Sequence, residues 1–214
     1  MKKIGISLRV ELIEKYDEKR DSISHDWINF LQKIDCIPIL IPNNLHNVEN
    51  YITDLNLDAI ILSGGDNIGD FPERDKTENS ILEFGIKNAI PILGVCRGMQ
   101  IINYYFEGSV QKNASLDHVG KSHSIDVVKN SLIKTLKKSK LNVNSFHNNL
   151  IKKDEIGKDL EIFALSEIDN SVEGYLHKKH PIMGVMWHPE RDSNDSSQQK
   201  LIDVFFNKTI WEEF

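Results

Sequence analysis

The sequence predicts an α/β fold: a mostly parallel central sheet flanked by helices, with an antiparallel strand extension and a nucleophile elbow. Three observations predict it. Through the first half, short apolar runs alternate with stretches of helical periodicity, the pattern of a sheet covered on both faces. In the second half, short strand-like runs follow one another closely, which suits antiparallel pairing. Between the halves, Ile92-Leu93-Gly94-Val95-Cys96-Arg97-Gly98 carries an apolar run through two glycines straight into a helical pattern. With 214 residues, 40% hydrophobic and 27% charged, the chain can bury one sizeable core. Neither a Gly/Ser-rich linker nor an internal repeat divides it, so residues 1–214 are expected to form a single domain.

Residues 4–8 give the opening strand. Glu11, Glu14, Asp17 and Glu18, interspersed with Lys15, Lys19 and Arg20, indicate an exposed loop or helix. Over 25–34, Trp27, Phe30, Leu31 and Ile34 recur at helical spacing and should pack on the sheet. A strand over 37–41 follows Cys36, which behaves there as a small hydrophobe. Residues 48–55 form a short helix, 59–62 a buried strand and 77–88 an amphipathic helix. The helix after the elbow carries Ile101, Ile102, Tyr105 and Phe106 until Glu107-Gly108 interrupts it. Further strands are expected at 109–111, 123–128, 141–143, 161–165, 172–176 and 182–186. A closing helix spans 196–208 through Leu201, Ile202, Phe205 and Phe206.

The formal charge of −6 argues against a general nucleic-acid or anionic-membrane surface, and the basic clusters at 134–140 and Lys178-Lys179 fit solvated surface. No apolar run approaches a membrane span, and Met1-Lys2-Lys3 leads directly into a strand, which implies a cytoplasmic protein. Two cysteines suit a reducing compartment. A Cys36–Cys96 disulfide would consume the thiol of greatest interest.

Cys96 is that thiol. Small residues two before and two after allow a tight, strained strand-to-helix turn that lifts the side chain, and the helix N-terminus favours its thiolate. His188 supplies an imidazole after a second apolar run, with Glu190 two residues on. If strand geometry persists through Pro189, both face one side and Glu190 can orient the ring. An attacked carbonyl needs fixed donors for its oxyanion. The Arg97 N–H, next to the nucleophile, is one, and Ser63-Gly64-Gly65 at a strand end offers a turn for another. Gln100, one helical turn after Cys96, shares its mouth. Glycine-rich 64–69 lacks the lysine of a P-loop and the spacing of a dinucleotide fingerprint, and no Gly-x-Ser-x-Gly occurs. His177 and His180, like His118 and His123, have no ligand motif around them, and His25 opens a helix, so no metal is expected.

The order Ile4-Gly5-Ile6-Ser7 with Arg9, then Leu62-Ser63-Gly64-Gly65-Asp66, the elbow, Asn144-Ser145-Phe146-His147 and Trp187-His188-Pro189-Glu190 resembles the class I glutamine amidotransferase superfamily, in particular its γ-glutamyl hydrolase branch. The resemblance spans nearly the whole chain. It implies a Cys96, His188, Glu190 triad and a second oxyanion donor at the Gly65 N–H. It also implies a glutamyl site drawing on Gly64, Gln100, Ser145, Phe146 and His147. The implied activity is cofactor-free hydrolysis of a small-molecule γ-glutamyl amide. The opening through Arg20 is more like a free-standing hydrolase than a synthase subunit, so a synthase partner is disfavoured, while homo-oligomerisation stays open. Within that branch, a capsule-pathway hydrolase of nucleotide-linked γ-glutamyl phosphoramidates is a further expectation. A glutaminase delivering ammonia to a synthase, or a non-catalytic binding module, is the alternative.

Overall fold

The computed structural model describes residues 1–112, 118–191 and 196–207. The last residue of the expected closing helix, 208, lies outside them. In chain order the strands are β1 (Lys2–Ser7), β2 (Arg9–Ile13), β3 (Glu18–Ser22), β4 (Cys36–Ile41), β5 (Ala59–Leu62), β6 (Ile92–Val95), β7 (Val119–Val127), β8 (Lys140–Phe146), β9 (Leu160–Ser166), β10 (Val172–His177) and β11 (Ile182–Val185). The helices are α1 (His25–Lys33), α2 (Val48–Leu55), α3 (Pro72–Asn88), α4 (Arg97–Tyr105), α5 (Asn130–Leu136) and α6 (Ser196–Phe206).

Among the described residues the main sheet has the order β4-β1-β5-β6-β11-β10-β9-β7-β8. From β4 to β11 neighbours run parallel, and from β11 to β8 they run antiparallel. This is the mixed architecture expected. Strands β5, β6 and β11 are buried throughout, because helices cover both faces. Trp27, Phe30 and Leu31 of α1, Leu132 and Leu136 of α5, and Leu201, Ile202, Phe205 and Phe206 of α6 share one core. Val48 and Ile52 of α2, Ile81 and Leu82 of α3, and Met99, Ile101 and Ile102 of α4 share the other. From β1 the chain crosses to β4 on one side and β5 continues on the other. The crevice beyond the strand ends at such a reversal is where α/β sheets bind ligands.

Several elements differ from the sequence expectation. Residues 9–22, expected as loop or helix, form the β2–β3 hairpin, whose register sets Glu11 opposite Arg20 and Leu12 opposite Lys19. Few apolar residues mark it, because it is not a core strand pair. It is tied down by polar bonds: Val10 N–H donates to Asp66 Oδ2 at 3.1 Å, and Asn43 Nδ2 to Asp21 Oδ1 at 2.7 Å. Helix α3 starts at Pro72, earlier than expected, with proline in its first turn and Glu73 and Asp75 suiting the helix dipole. Helix α5 occupies part of the lysine-rich region and buries Leu132 and Leu136, an i,i+4 pair that the lysines mask in sequence. The expected strand at 109–111 is reduced to a bridge from Gln111 to Leu150. No helix among the described residues is long and apolar enough to cross a membrane.

Candidate active site

Cys96 ends β6 with φ +51° and ψ −104°, a strained conformation for a residue with a Cβ, and α4 begins at the next residue. Close packing enforces the turn. A Cβ on Gly98 would lie 2.0 Å from the Leu62 carbonyl oxygen, and one on Gly94 would lie 2.5 Å from the Gly98 carbonyl oxygen, so α4 can sit this close to β5 and β6 only with glycine at both places. The Cys96 N–H donates to the Val185 carbonyl at 2.9 Å and locks the elbow to β11. Arg97 opens α4, where first-turn N–H groups have no helical acceptor and can serve another oxygen.

His188 follows the end of β11, and its Nδ1 lies 2.6 Å from Glu190 Oε1, both groups being buried. The expected reason for this pairing is corrected by the structure. Strand β11 stops at Val185, and a turn, not strand alternation, brings Glu190 back to His188. Asn144 holds the backbone of that turn as a neighbouring strand would. Its Oδ1 accepts from the His188 N–H at 2.9 Å, and its Nδ2 donates to the His188 carbonyl at 2.8 Å. Asn144 belongs to the quoted motif, but sequence reasoning gave it no role. The available signal is its period-two spacing from Phe146, which places both on one face of β8.

The electrostatics favour an ion pair between thiol and imidazole. Burial pushes the Cys96 thiol up, yet a hydrogen bond and the charge of His188, helped by His147, bring it below its ordinary value. Burial pushes His188 down, but its bonds to Cys96 and Glu190 raise it to about 9. The thiol is thus shifted towards thiolate and the imidazole towards imidazolium, the direction that a nucleophile with a proton donor requires.

Gly64 and Gly65 follow β5 beside this pair. A Cβ on Gly64 would come within 2.9 Å of His188 Cε1, so glycine is needed for the loop to reach the imidazole. Gly65 has φ +124°, a region that L side chains avoid. Beneath the loop, Arg74 is fully buried and donates to the Ser63 carbonyl at 2.8 Å, the Gly64 carbonyl at 3.0 Å, Asp66 at 2.8 Å and Glu78 at 3.1 Å. Glu78 also receives the Ser7 hydroxyl at 2.7 Å and pairs with Arg97, whose guanidinium reaches Asp75 as well. Sequence reading missed this network. Its members lie on four elements and only the fold collects them.

The expected glutamyl-site residues divide. Gln100 is buried, with Oε1 accepting from Asn149 Nδ2 at 3.3 Å and Nε2 3.8 Å from Met186 Sδ. Phe146 is 44% exposed and meets the His188 ring edge-on at 5.9 Å between centroids. The Ser145 side chain points to the other face, its hydroxyl donating to the His118 carbonyl at 2.5 Å. His147 is also turned inward: Nδ1 bonds the Asn149 carbonyl at 3.0 Å, and Nε2 lies 3.6 Å from Glu173 Oε1. His118 and His123 approach the same carboxylate oxygen at 3.8 and 3.5 Å. Burial would raise Glu173, but His123 and His147 hold it down at about 2. His118, His147 and Glu173 place their ligand atoms within 4.8 Å of one another, a grouping that sequence spacing did not reveal. Burial pushes His147 down, but Glu173 and Cys96 raise it overall. His177 accepts from the Lys179 and His180 N–H groups through Nδ1, both at 3.0 Å, and burial with the nearby His180 keeps it neutral down to about pH 4.

The chain has known relatives. Residues 4–190 match the peptidase C26 family model. The chain belongs to the peptidase C26 family. It is therefore a glutamine amidotransferase-like hydrolase by family. Among its relatives, the γ-glutamyl-CDP-amidate hydrolase of Campylobacter jejuni is 33% identical over 210 residues, covering 94% of this chain and 96% of that one. Anthranilate synthase component 2 of Cyanophora paradoxa is 31% identical over 200 residues, covering 92% and 97%. A solved structure from Thermoplasma acidophilum, described provisionally as a GMP synthase subunit, superposes with a TM-score of 0.73 at 23% identity, over 100% of this chain and 96% of that chain, and so shows the fold.

Proposed function

We propose that the protein hydrolyses a substituted γ-glutamyl amide through a Cys96 thioester, releasing glutamate and an amidate in which the leaving nitrogen carries a nucleotide-linked phosphoryl group. The observation that carries the hydrolytic reading is the strained, buried Cys96 paired with His188 and Glu190. Similarity to the Campylobacter enzyme along nearly the whole of both chains supports the choice of leaving group. The reaction uses the pair as it rests. The Cys96 thiolate attacks the γ-carbonyl while the backbone N–H groups of Gly65 and Arg97 receive the oxyanion. On collapse, the His188 imidazolium gives its proton to the leaving nitrogen and becomes neutral, and the amidate departs. Neutral His188 then takes a proton from water as that water attacks the thioester. Glutamate leaves, and thiolate and imidazolium are restored. Glu190 keeps the ring oriented and its cation stabilised. No step calls on a cofactor or a second protein.

Phe146 and the backbone of 145–147, with Gln100 and Gly64 nearby, form the proposed glutamyl side. The buried hydroxyl of Ser145 and ring of His147 are engaged with the His118 and Asn149 carbonyls, so in this reading that stretch offers mainly its backbone. A second reading, ammonia delivery to a synthase, is favoured by the similarity to anthranilate synthase component 2. Glutamate release from γ-glutamyl-aminobutyrate, glutamine and a CDP-linked γ-glutamyl amidate discriminates the two. The hydrolase reading expects the CDP-linked amidate to have the highest kcat/KM, glutamine to be poor, and Cys96→Ala to lose at least about 10³-fold. Glutamine as the best substrate, or normal turnover by Cys96→Ala, overturns it.

A further inference from the structure

Two arginines stand at the mouth of the site. Arg9 begins the β2–β3 hairpin and lies against the oxyanion loop, its Nε 3.2 Å from where a Cβ on Gly65 would be. Arg191 follows the catalytic turn and stacks its guanidinium on Phe146, 3.8 Å from the ring centroid. Both line one cleft together with Gly64 and His188. Neither guanidinium is ion-paired among the described residues, because the nearby carboxylates are committed elsewhere: Asp66 to Arg74 and the Val10 N–H, Glu190 to His188, and Asp21 to Asn43. Both arginines thus bring positive charge to this mouth, in a chain whose net charge is −6. Ser22 lines the same cleft, with a buried hydroxyl that has no hydrogen-bond partner.

Resting on the hydrolase reading above, we propose that Arg9 and Arg191 recognise the leaving group, holding the phosphoryl attached to the scissile nitrogen. His188 must lie next to that nitrogen to protonate it, and the arginine-lined cleft contains His188. Beyond Glu190 and Arg191 the cleft meets a groove of about 450 Å³ between α1 and α6. Exposed Asp26, Asn29 and Gln199 line it with Arg191, a polar surface with room for the remainder of a nucleotide. Two fixed cations also stabilise the negative charge that the amidate keeps as it departs, while an uncharged leaving group gains nothing from them. The arginines thus select for an anionic leaving group.

The test uses the full chain and its Arg9→Met and Arg191→Met variants, with folding checked by thermal melting. Calorimetry with cytidine 5′-diphosphate, pyrophosphate and cytidine reads binding directly. The diphosphates should bind the native protein more tightly than cytidine, with affinity falling as salt is added. Each substitution should weaken diphosphate binding about 10–100-fold. In kinetics, the ratio of kcat/KM for a CDP-linked γ-glutamyl amidate to that for γ-glutamyl-4-nitroanilide should fall by at least about tenfold in each variant. Equal losses on both substrates would place the arginines on the glutamyl carboxylate and overturn the proposal, as would diphosphates binding no better than cytidine. If the native protein hydrolyses neither substrate, the hydrolase reading fails, and the calorimetry still decides the arginines.

Discussion

His188 is the residue on which most of the site chemistry converges. In the proposed reaction it gives up a proton to the leaving nitrogen and recovers one from water, and it is held by Glu190 through its ring and by Asn144 through its backbone. Because its bonds to Cys96 and Glu190 raise it to about 9, the proton needed by the leaving group stays in place through neutrality and is lost as pH rises through that value. The alkaline limb of kcat/KM is therefore expected near pH 9. Glu190→Gln removes one of the influences that raise His188, so its alkaline limb should move to lower pH, with a smaller rate deficit than Cys96→Ala. A pH–rate profile of both proteins checks this, and an unmoved limb would mean that Glu190 does not act through the imidazole. Phe146 sits on the same ring edge-on and carries Arg191 on its own face, linking the imidazole to the rim by stacking alone.

Among the elements, α3 does more than cover the sheet. It delivers Arg74, Asp75 and Glu78 beneath the oxyanion loop, where Arg74 occupies the Ser63 and Gly64 carbonyls. With the Gly64 carbonyl held from below, the trans peptide turns the Gly65 N–H the opposite way, as its proposed oxyanion role requires. Arg74 is fully buried, so Arg74→Met leaves Glu78 and Asp66 short of a partner and should cost about 3–5 kcal/mol of stability. Denaturant unfolding measures the first effect. In protein kept folded, kcat should fall more than KM changes, since the loss lies in transition-state support and not in substrate docking. Equal stability to the parent would show that the buried network is energetically idle. The hairpin β2–β3 is the converse case: an element with little core of its own, positioned by Asp66 and by the Asp21–Asn43 bonds so that Arg9 reaches the site.

At the scale of the molecule, the antiparallel extension coils back on the parallel half. Strands β10, β9 and β7 separate β11 from β8 in the sheet, yet Asn144 of β8 clamps the turn that follows β11. The buried histidine–Glu173 cluster sits inside this coil and joins β7, β10 and the end of β8. Its charge makes stability depend on pH. Glu173 is depressed from 4.5 to about 2, so its contribution is present above pH 4.5 and is lost as pH falls towards 2. His188 is raised from 6.5, so its contribution is full below pH 6.5 and is lost as pH rises through about 9. Between those limits both are intact. Urea midpoints measured from pH 2 to 10 should show a plateau there, and Glu173→Gln should lower it and flatten the acid limb. An acid limb as steep as the parent's would place the acid sensitivity in other carboxylates.

Apolar patterning and motif order made the architecture legible and pointed to the candidate reacting residues. Apolar periodicity marked the strands and most helices, because burial on a two-sided sheet leaves a continuous hydrophobic signature. The glycine-flanked Cys96 and the His188, Glu190 spacing marked the chemistry, because a sharp elbow and an oriented imidazole each demand particular residue types nearby in the chain. The hairpin at 9–22 and helix α5 were illegible, the first since polar ties hold it and the second since lysines obscure its two buried leucines. Which distant groups gather around the candidate site emerged only in the folded chain. Asn144 on His188, Arg74 under the oxyanion loop, Glu173 among three histidines and the pairing of Arg9 with Arg191 all join residues far apart in sequence. Such contacts arise from how a coiled sheet and its covering helices bring strand ends together, and a one-dimensional pattern carries no record of that closure.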